Sequence, residues 1–309
     1  MMFLDLGEFM TVREISRISG IPLSTYYYRP RSRTVNRIDS VRSKRITDLA
    51  LERPTYGYRR IWAVLRNEGI GINRKTVARV LNKNNLSLPA AKHKNRTKRM
   101  NLFTPDAPDQ LWETDITYIP TFSGMTYLMC IKDCFSKEWQ GYLYSTTCTA
   151  SDAVRSVDDA VSRTFDGVNG SVAYVSLRVD NGPQYGSKLF RKAMKLLGIR
   201  LEYIQKQTPE DNGNIESFHN SIKTDYIWPV DLSNFQEGKD IIDHAFRDYN
   251  EKRPHSSILF LSPREFRKRW DSDPEFRLEY KNSLKKMKDK AMAKRKNNKR
   301  MEAERNGIL

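Results

Sequence analysis

The stretch RVDNGPQYGS, residues 178–187, puts an aspartate at the point where an apolar strand gives way to turn chemistry. The preceding SVAYVSL (171–177) alternates small, apolar and polar residues as a short strand does, and Asn-Gly-Pro breaks that pattern. Asp180 therefore lies at a strand end where a loop opens. In an open α/β sheet, ligands and catalytic groups collect at such ends. An aspartate before Asn-Gly also begins turns for purely local reasons. Upstream of this point the chain reads as three strands, QLWETDITYIP (110–120), GMTYLMCIKDCFS (124–136) and EWQGYLYSTTC (138–148), with turn points at Ser123-Gly124 and Ser136-Lys137. A helix SDAVRSVDDAVSRTF (151–165), capped by Ser151 or Thr149, leads into the Asp180 strand. Downstream come a helix SKLFRKAMKLLG (187–198), a short strand IRLEYI (199–204), a loop QKQTPEDNG (205–213) and a helix NIESFHNSIKTDYIW (214–228). This order predicts an α/β fold: a mixed five-stranded sheet flanked by helices.

Two further carboxylates give Asp180 company. Asp115 interrupts the first strand among Trp112, Ile116, Tyr118 and Ile119. A charge in a central strand is unfavourable unless it is paired or bound to a cation. Glu216 opens the helix that follows Gly213, where the helix dipole favours an anion. Thirty-five residues separate Asp180 from Glu216. That length accommodates one helix, one short strand and one loop, the least excursion that returns the chain beside its starting strand. Three carboxylates with no basic partner in sequence would repel one another. Divalent cations resolve that conflict, and Mg²⁺ takes hard oxygen ligands while keeping positions open for substrate phosphate.

The 309 residues carry a net charge of +17, distributed as +15 over residues 1–100, −6 over 101–276 and +8 over 277–309. Basic flanks around a mildly acidic centre imply that the flanks hold a polyanion, with nucleic acid the fitting one. The N-terminal third reads as helices. Val12, Ile15 and Ile18, then Gly20 at a turn, then Ser24-Thr25 opening a second helix that presents Tyr26, Tyr27 and Tyr28, have the order helix, turn, helix. Three more helices follow: DSVRSKRITDLALERP, stopped at Pro54; YGYRRIWAVLRNEG, with Ile61, Trp62 and Leu65 on one face and Gly69 as its cap; and NRKTVARVLNKNNL, with Asn73 or Arg74 near its N-cap. The last turns Arg74, Lys75 and Arg79 outward. With Arg59 and Arg60 of the preceding helix they are candidate DNA contacts of a helix-turn-helix module; the alternative is a small helical bundle with a solvated basic face. The segment after it is a basic linker suited to tracking phosphates. Cys130, Cys134 and Cys148 form no metal-binding spacing, and Cys130 and Cys134 read as reduced, packed strand residues. No signal peptide or apolar run of membrane-spanning length appears, so a cytoplasmic, nucleoid-associated protein is expected.

The motifs W-E-T-D-I-T-Y around Asp115, D-N-G-P-Q-Y from Asp180, P-E-D-N-G-N-I-E-S-F-H-N-S-I-K around Glu216, YNEKRPHSSILFLSPREF (249–266) and YGYRRIWAVL (56–65) occur in one order. Together with the Asp, Asp, 35-residue gap, Glu spacing, the chain resembles the DDE transposases of the retroviral-integrase-like insertion-sequence group, whose catalytic core is RNase H-like. The resemblance spans roughly residues 11–270. The expected division is a partial helix-turn-helix at 1–34, a helix-turn-helix DNA-binding domain at 35–90, a basic linker at 91–108, a catalytic domain at 109–270, which the resemblance supplies, and a basic tail at 271–309, which lies beyond it. The resemblance also implies that Asp115, Asp180 and Glu216 bind two Mg²⁺ ions, with Mn²⁺ able to substitute, for cleavage and strand transfer at element ends. The turn Asn181-Gly182-Pro183 would aim Asp180 at the metals, with Gly182 and Pro183 fixing the loop so that substrate backbone can approach. Lys223 and His219 would lie along DNA, Lys223 being otherwise a solvated helix lysine and His219 a structural one. Arg253 and His255, flanking Pro254, would support the site or contact DNA, or else lock two helices together. Expected partners are double-stranded DNA, as terminal repeats and target, and further copies of the chain. The chain would be either a complete transposase or the catalytic half of a fused one. A DNA-binding regulator without catalysis and a nuclease that cuts without joining are the rival functions.

Overall fold

The structure, a computed structural model, describes residues 10–28, 39–89, 103–165, 175–204 and 213–305. The linker residues 90–102, the strand residues 171–174 and the loop residues 205–212, which include the P-E-D-N of the third motif, lie outside the described residues. The chain divides into two compact units between Ser43 and Lys44. In the first, helix α1 (Val12–Ser19) starts in a capping box between Thr11 and Glu14 and ends at Gly20, whose φ of 70° suits glycine. The short α2 (Leu23–Tyr26) follows, with Tyr26, Tyr27 and Tyr28 exposed.

The division falls within the first turn of α3 (Ser40–Glu52); the rest of α3, with α4 (Tyr58–Asn67) and α5 (Arg74–Lys83) of the second unit, buries Ile46, Leu49, Ile61, Ala63, Leu65, Val77, Val80 and Leu81, the positions at which helical periodicity places apolar side chains. Asn73 caps α5 by accepting the Lys75 amide. Strands β1 (Leu111–Thr121), β2 (Gly124–Asp133) and β3 (Trp139–Ser145) form an antiparallel meander. Helix α6 (Ala150–Thr164), capped by Thr149, precedes β4 (Ser176–Val179), which pairs parallel with β1. Helices α7 (Pro183–Gly186) and α8 (Lys188–Leu197) then lead to β5 (Arg200–Tyr203), parallel to β4. The sheet order is β3-β2-β1-β4-β5, so the strand bearing Asp115 is central.

Both faces of the sheet are covered. Met129, Ile131, Leu177 and Val179 pack with α6 and α8 through Ala153, Val157, Ala160, Phe190 and Met194. The alternate residues Ile119, Leu128 and Cys130 pack with α9 (Gly213–Ile222) and α10 (Phe235–Glu251) through Ile215, Phe218, Ile222, Ile242 and Tyr249. Cys130 and Cys134 are buried, free thiols, as expected. Helices α11 (Pro263–Ser272) and α12 (Pro274–Arg305) complete the chain. Among the described residues no helix is long and apolar enough to cross a membrane.

The structure departs from the sequence reading in three places. Pro183–Gly186 is a helical turn rather than loop, because Pro183 at its first position is pre-set for helix. Lys223–Ile227 is a π-helical turn rather than the continuation of α9. The basic composition of the tail implies a segment that stays off the core from residue 277. Instead Tyr280 is buried with Phe135, Ile258, Phe266 and Trp270, and Phe276 and Leu284 pack beside it. An apolar stripe at 276, 280 and 284, one helical turn apart each time, is hidden in the average charge of the segment.

Candidate active site

Odd-numbered residues of β1 face α9, so Glu113 and Asp115 share that side of the sheet. In the parallel pairing Glu113 lies opposite Arg178. Asp115 comes two residues further along β1, and Asp180 stands just past the end of β4, two residues after Arg178. Burial pushes the Asp180 carboxyl above its ordinary value; the Gly182 N–H draws it back, and the charge of Asp115 adds to the rise. Asp115 Oδ1 accepts the Ile116 amide at 2.9 Å.

The loop after β4 is shaped around the carboxylate. Asp180 Oδ1 accepts the Gly182 N–H at 2.9 Å, and Asn181 donates Nδ2 to the Ile204 carbonyl at 2.8 Å. A Cβ on Gly182 would stand 2.9 Å from Asp180 Oδ1, so only glycine leaves the carboxylate its place. Beneath, the fully buried Tyr185 hydroxyl is 3.2 Å from Thr114 Oγ1. Nothing in the sequence singles out Tyr185, since a tyrosine inside a turn signal carries no marker of burial.

From α9, buried His219 sets Nδ1 3.5 Å from Asp115 Oδ2. His219 Nε2 is buried without a partner among the described residues. Glu216, one turn earlier on the same helix, is exposed. Lys223, half-buried at the start of the π-turn, is pushed down by burial and drawn up by the charge of Asp115. Among the described residues no three His, Cys, Asp or Glu side chains stand grouped to hold a metal. The structure thus brings Asp180 within reach of the charge of Asp115, with His219 and Lys223 near Asp115, and leaves Glu216 exposed on α9. Two hard carboxylates near enough for the charge of one to act on the other fit a divalent cation, which offsets their repulsion.

The other candidates are dispersed. Arg59, Arg74, Lys75 and Arg79 are exposed, Arg74 stacking 4.0 Å from the centre of the Trp62 ring and 5.4 Å from that of Phe260. Arg60 does not join them: it lies half-buried over the Tyr56 ring, and burial lowers its pKa. Arg253 is buried and donates Nε to Asp225 Oδ2 at 2.7 Å across to the π-turn. Burial and the cations Arg253, Lys132, Arg60 and Lys137 push His255 well below its ordinary value. Of the two sequence readings for this pair, a lock between helices is the one their surroundings fit.

An integrase core domain model matches residues 105–209, a second integrase core domain model matches 197–263, and an HTH-like domain model matches 39–94. The transposase InsD for insertion element IS2D of Escherichia coli K12 is 32% identical over 235 residues, covering 72% of this chain and 76% of the relative. The chain belongs to the insertion-sequence transposases. The transposase for insertion sequence element IS904 of Lactococcus lactis is 31% identical over 229 residues, covering 69% of this chain and 87% of the relative. Among solved structures, a simian T-cell lymphotropic virus intasome in complex with PP2A regulatory subunit B56 gamma is similar with a TM-score of 0.45 and 18% identity, over 72% of this chain and 73% of that one. In this transposase the HTH-like match takes in α3, α4 and α5, while the two integrase-core matches take in Asp115, Asp180 and Glu216.

Proposed function

We propose that the transposase cuts DNA at the ends of its insertion element and joins those ends to target DNA, by metal-assisted phosphoryl transfer at Asp115, Asp180 and Glu216. What carries this reading is the placement of Asp115 on the central strand and of Asp180 just past the end of neighbouring β4, two residues beyond the paired Glu113 and Arg178, with α9 packed on the face that Asp115 shares. Divalent cations, Mg²⁺ or Mn²⁺, held by the three carboxylates would supply charge neutralisation at the attacking and leaving oxygens. The protein's own groups prepare the place. The Gly182 N–H fixes one oxygen of Asp180, and His219 holds an edge of Asp115. Lys223 offers an ammonium near Asp115 for DNA phosphate. Arg59, Arg74, Lys75 and Arg79 reach the backbone of the element ends, with α5 read as the groove-entering helix. Bringing two ends to one target calls for more than one copy of the chain.

The test is strand transfer and cleavage of end-labelled element DNA by Asp115→Asn, Asp180→Asn and Glu216→Gln proteins. Each is expected to lose at least about a hundredfold in rate, the order of several kcal/mol of lost charge stabilisation, while binding to the same DNA survives. An Asp180→Asn protein as active as the parent overturns the reading. Cut product without joined product in the parent would mark a nuclease.

A further inference from the structure

Four charged residues of alternating sign stand in one row across the sheet. Lys132 on β2 pairs with Glu113 on β1, Glu113 with Arg178 on β4, and Arg178 with Glu202 on β5. The side chains meet as the register requires. Arg178 Nη1 donates to Glu113 Oε1 at 3.0 Å, and Arg178 Nη2 reaches Glu202 Oε2 at 3.2 Å and the Phe103 carbonyl at 3.1 Å. Glu113, Lys132 and Arg178 are 2%, 3% and 6% exposed. Such a row is costly to bury unless every charge is answered. Two residues beyond Glu113 and Arg178 come Asp115, on β1 and facing α9, and Asp180, just past the end of β4.

One residue outside the sheet plugs into the row. Asn214 donates Nδ2 to Glu113 Oε2 at 2.7 Å and accepts Lys132 Nζ on Oδ1 at 3.0 Å, and its backbone carbonyl accepts the same ammonium at 3.2 Å. The amide orientation follows from the chemistry, because its nitrogen meets a carboxylate and its oxygen an ammonium. Phe218, one turn on, lies under the ammonium at 5.4 Å from its ring centre. Asn214 is the second residue of α9, and Glu216 is in the same first turn.

We infer that Asn214, gripped between Lys132 and Glu113, is a positioning residue that fixes the first turn of α9, and with it Glu216, on the sheet face carrying Asp115 and Asp180. The inference rests on the proposed catalytic role of Glu216. It explains why ion-paired charges are kept inside a sheet where apolar residues would pack at less cost. The row gives the helix a single docking register, because shifting α9 by one residue would leave Lys132 and Glu113 buried without their amide.

The test compares the parent with Asn214→Ala, which removes both side-chain bonds but leaves the row intact, and with Lys132→Met, which removes the grip from the other side. Amide hydrogen exchange of the metal-free proteins reads the helix directly. The amides of Phe218, His219 and Asn220 close on first-turn carbonyls. They are expected to exchange about tenfold faster in both variants, as loss of charge-assisted hydrogen bonds implies, with β1 and β4 unchanged. In strand transfer, Asn214→Ala is expected to raise the Mg²⁺ concentration for half-maximal rate by about tenfold without altering affinity for element DNA. The double variant is expected to be little worse than the worse single one, since the residues act as one contact. Unchanged exchange in α9, or faster exchange spread equally over the strands, overturns the inference. A fully active Glu216→Gln protein would instead overturn the catalytic reading, and the exchange result would still report on the grip.

Discussion

A methyl group at position 182 would press on Asp180 Oδ1 at 2.9 Å, yet the backbone there, at φ −61°, suits any residue. Gly182→Ala is therefore a steric probe of the carboxylate rather than of backbone strain. We expect transposition activity to fall at least about tenfold with the melting temperature unchanged or slightly raised, since alanine also restricts the unfolded chain. Activity retained at parental level would mean the carboxylate can shift without cost. Lys132 supports a prediction on stability. Burial holds its ammonium down to about 8 against an ordinary 10.5. Below pH 8 the side chain is charged folded and unfolded alike and carries its desolvation cost. Between pH 8 and 10.5 the folded protein gives up the proton first, so the unfolded state binds more protons and stability gains with rising pH. Relative to Lys132→Met, the parent should grow more stable to urea across that window. A pH-independent difference would show the ammonium to be fully compensated by Asn214 and Glu113.

At the scale of elements, the π-turn Lys223–Ile227 follows directly on α9 and joins it to the rest of the protein. It presents Asp225 to Arg253 and the Tyr226 hydroxyl to Asp248 Oδ2 at 2.8 Å. Asp248 in turn accepts both terminal nitrogens of Arg53, at 2.6 and 2.7 Å, which ties the segment after α3 to α10. Burial raises the Asp248 carboxyl, but the bonds from Arg53 and Tyr226 outweigh it and leave the group below its ordinary value. Its contribution is thus present above the usual carboxylate range and lost as pH falls through the lowered value. Asp248→Asn should cost about 3 kcal/mol in urea unfolding at neutral pH, the order for breaking a buried pair, and less at acid pH. Little loss at neutral pH would mean the pair is solvated. These contacts also show what sequence could and could not convey. The succession of strands and helices along the chain, the approximate starts of α5 and α6 and the central place of Asp115 were legible, because alternation, cap residues and a charge in an apolar run are local signals, whereas the order of strands across the sheet is not a local property. The π-turn was not, since an extra residue per turn leaves no mark in periodicity. Asn214 was not either, because its meaning lies in partners 82 and 101 residues away. The inward turn of Arg60 was hidden for the same reason: its neighbour Arg59 has the same chemistry and only packing tells them apart.

Over the whole molecule, charge is divided between an acidic centre that holds carboxylates and basic ends, and the C-terminal end is itself divided. Up to Leu284 the last helix is structural, for Phe276, Tyr280 and Leu284 close the aromatic cluster of Phe135, Phe266 and Trp270. From Lys286 onward the sequence holds nine basic and three acidic residues, a composition suited to sequence-blind contact with phosphate. Two truncations separate these parts. Ending the chain after Lys285 should leave the melting temperature unchanged and weaken binding to element ends and random duplex by the same factor. Each DNA phosphate that the shortened chain no longer neutralises should flatten the slope of log affinity against log salt by about 0.9. Ending the chain before Arg277 should in addition destabilise the fold, as should Tyr280→Ala alone, by about 3 kcal/mol for a large aromatic removed from a packed cluster. The measurements are thermal melting and salt titrations of binding on both DNAs. If the shorter deletion instead changed the ratio of end to random binding at constant slope, the distal tail would be reading sequence or holding copies of the transposase together rather than neutralising phosphate.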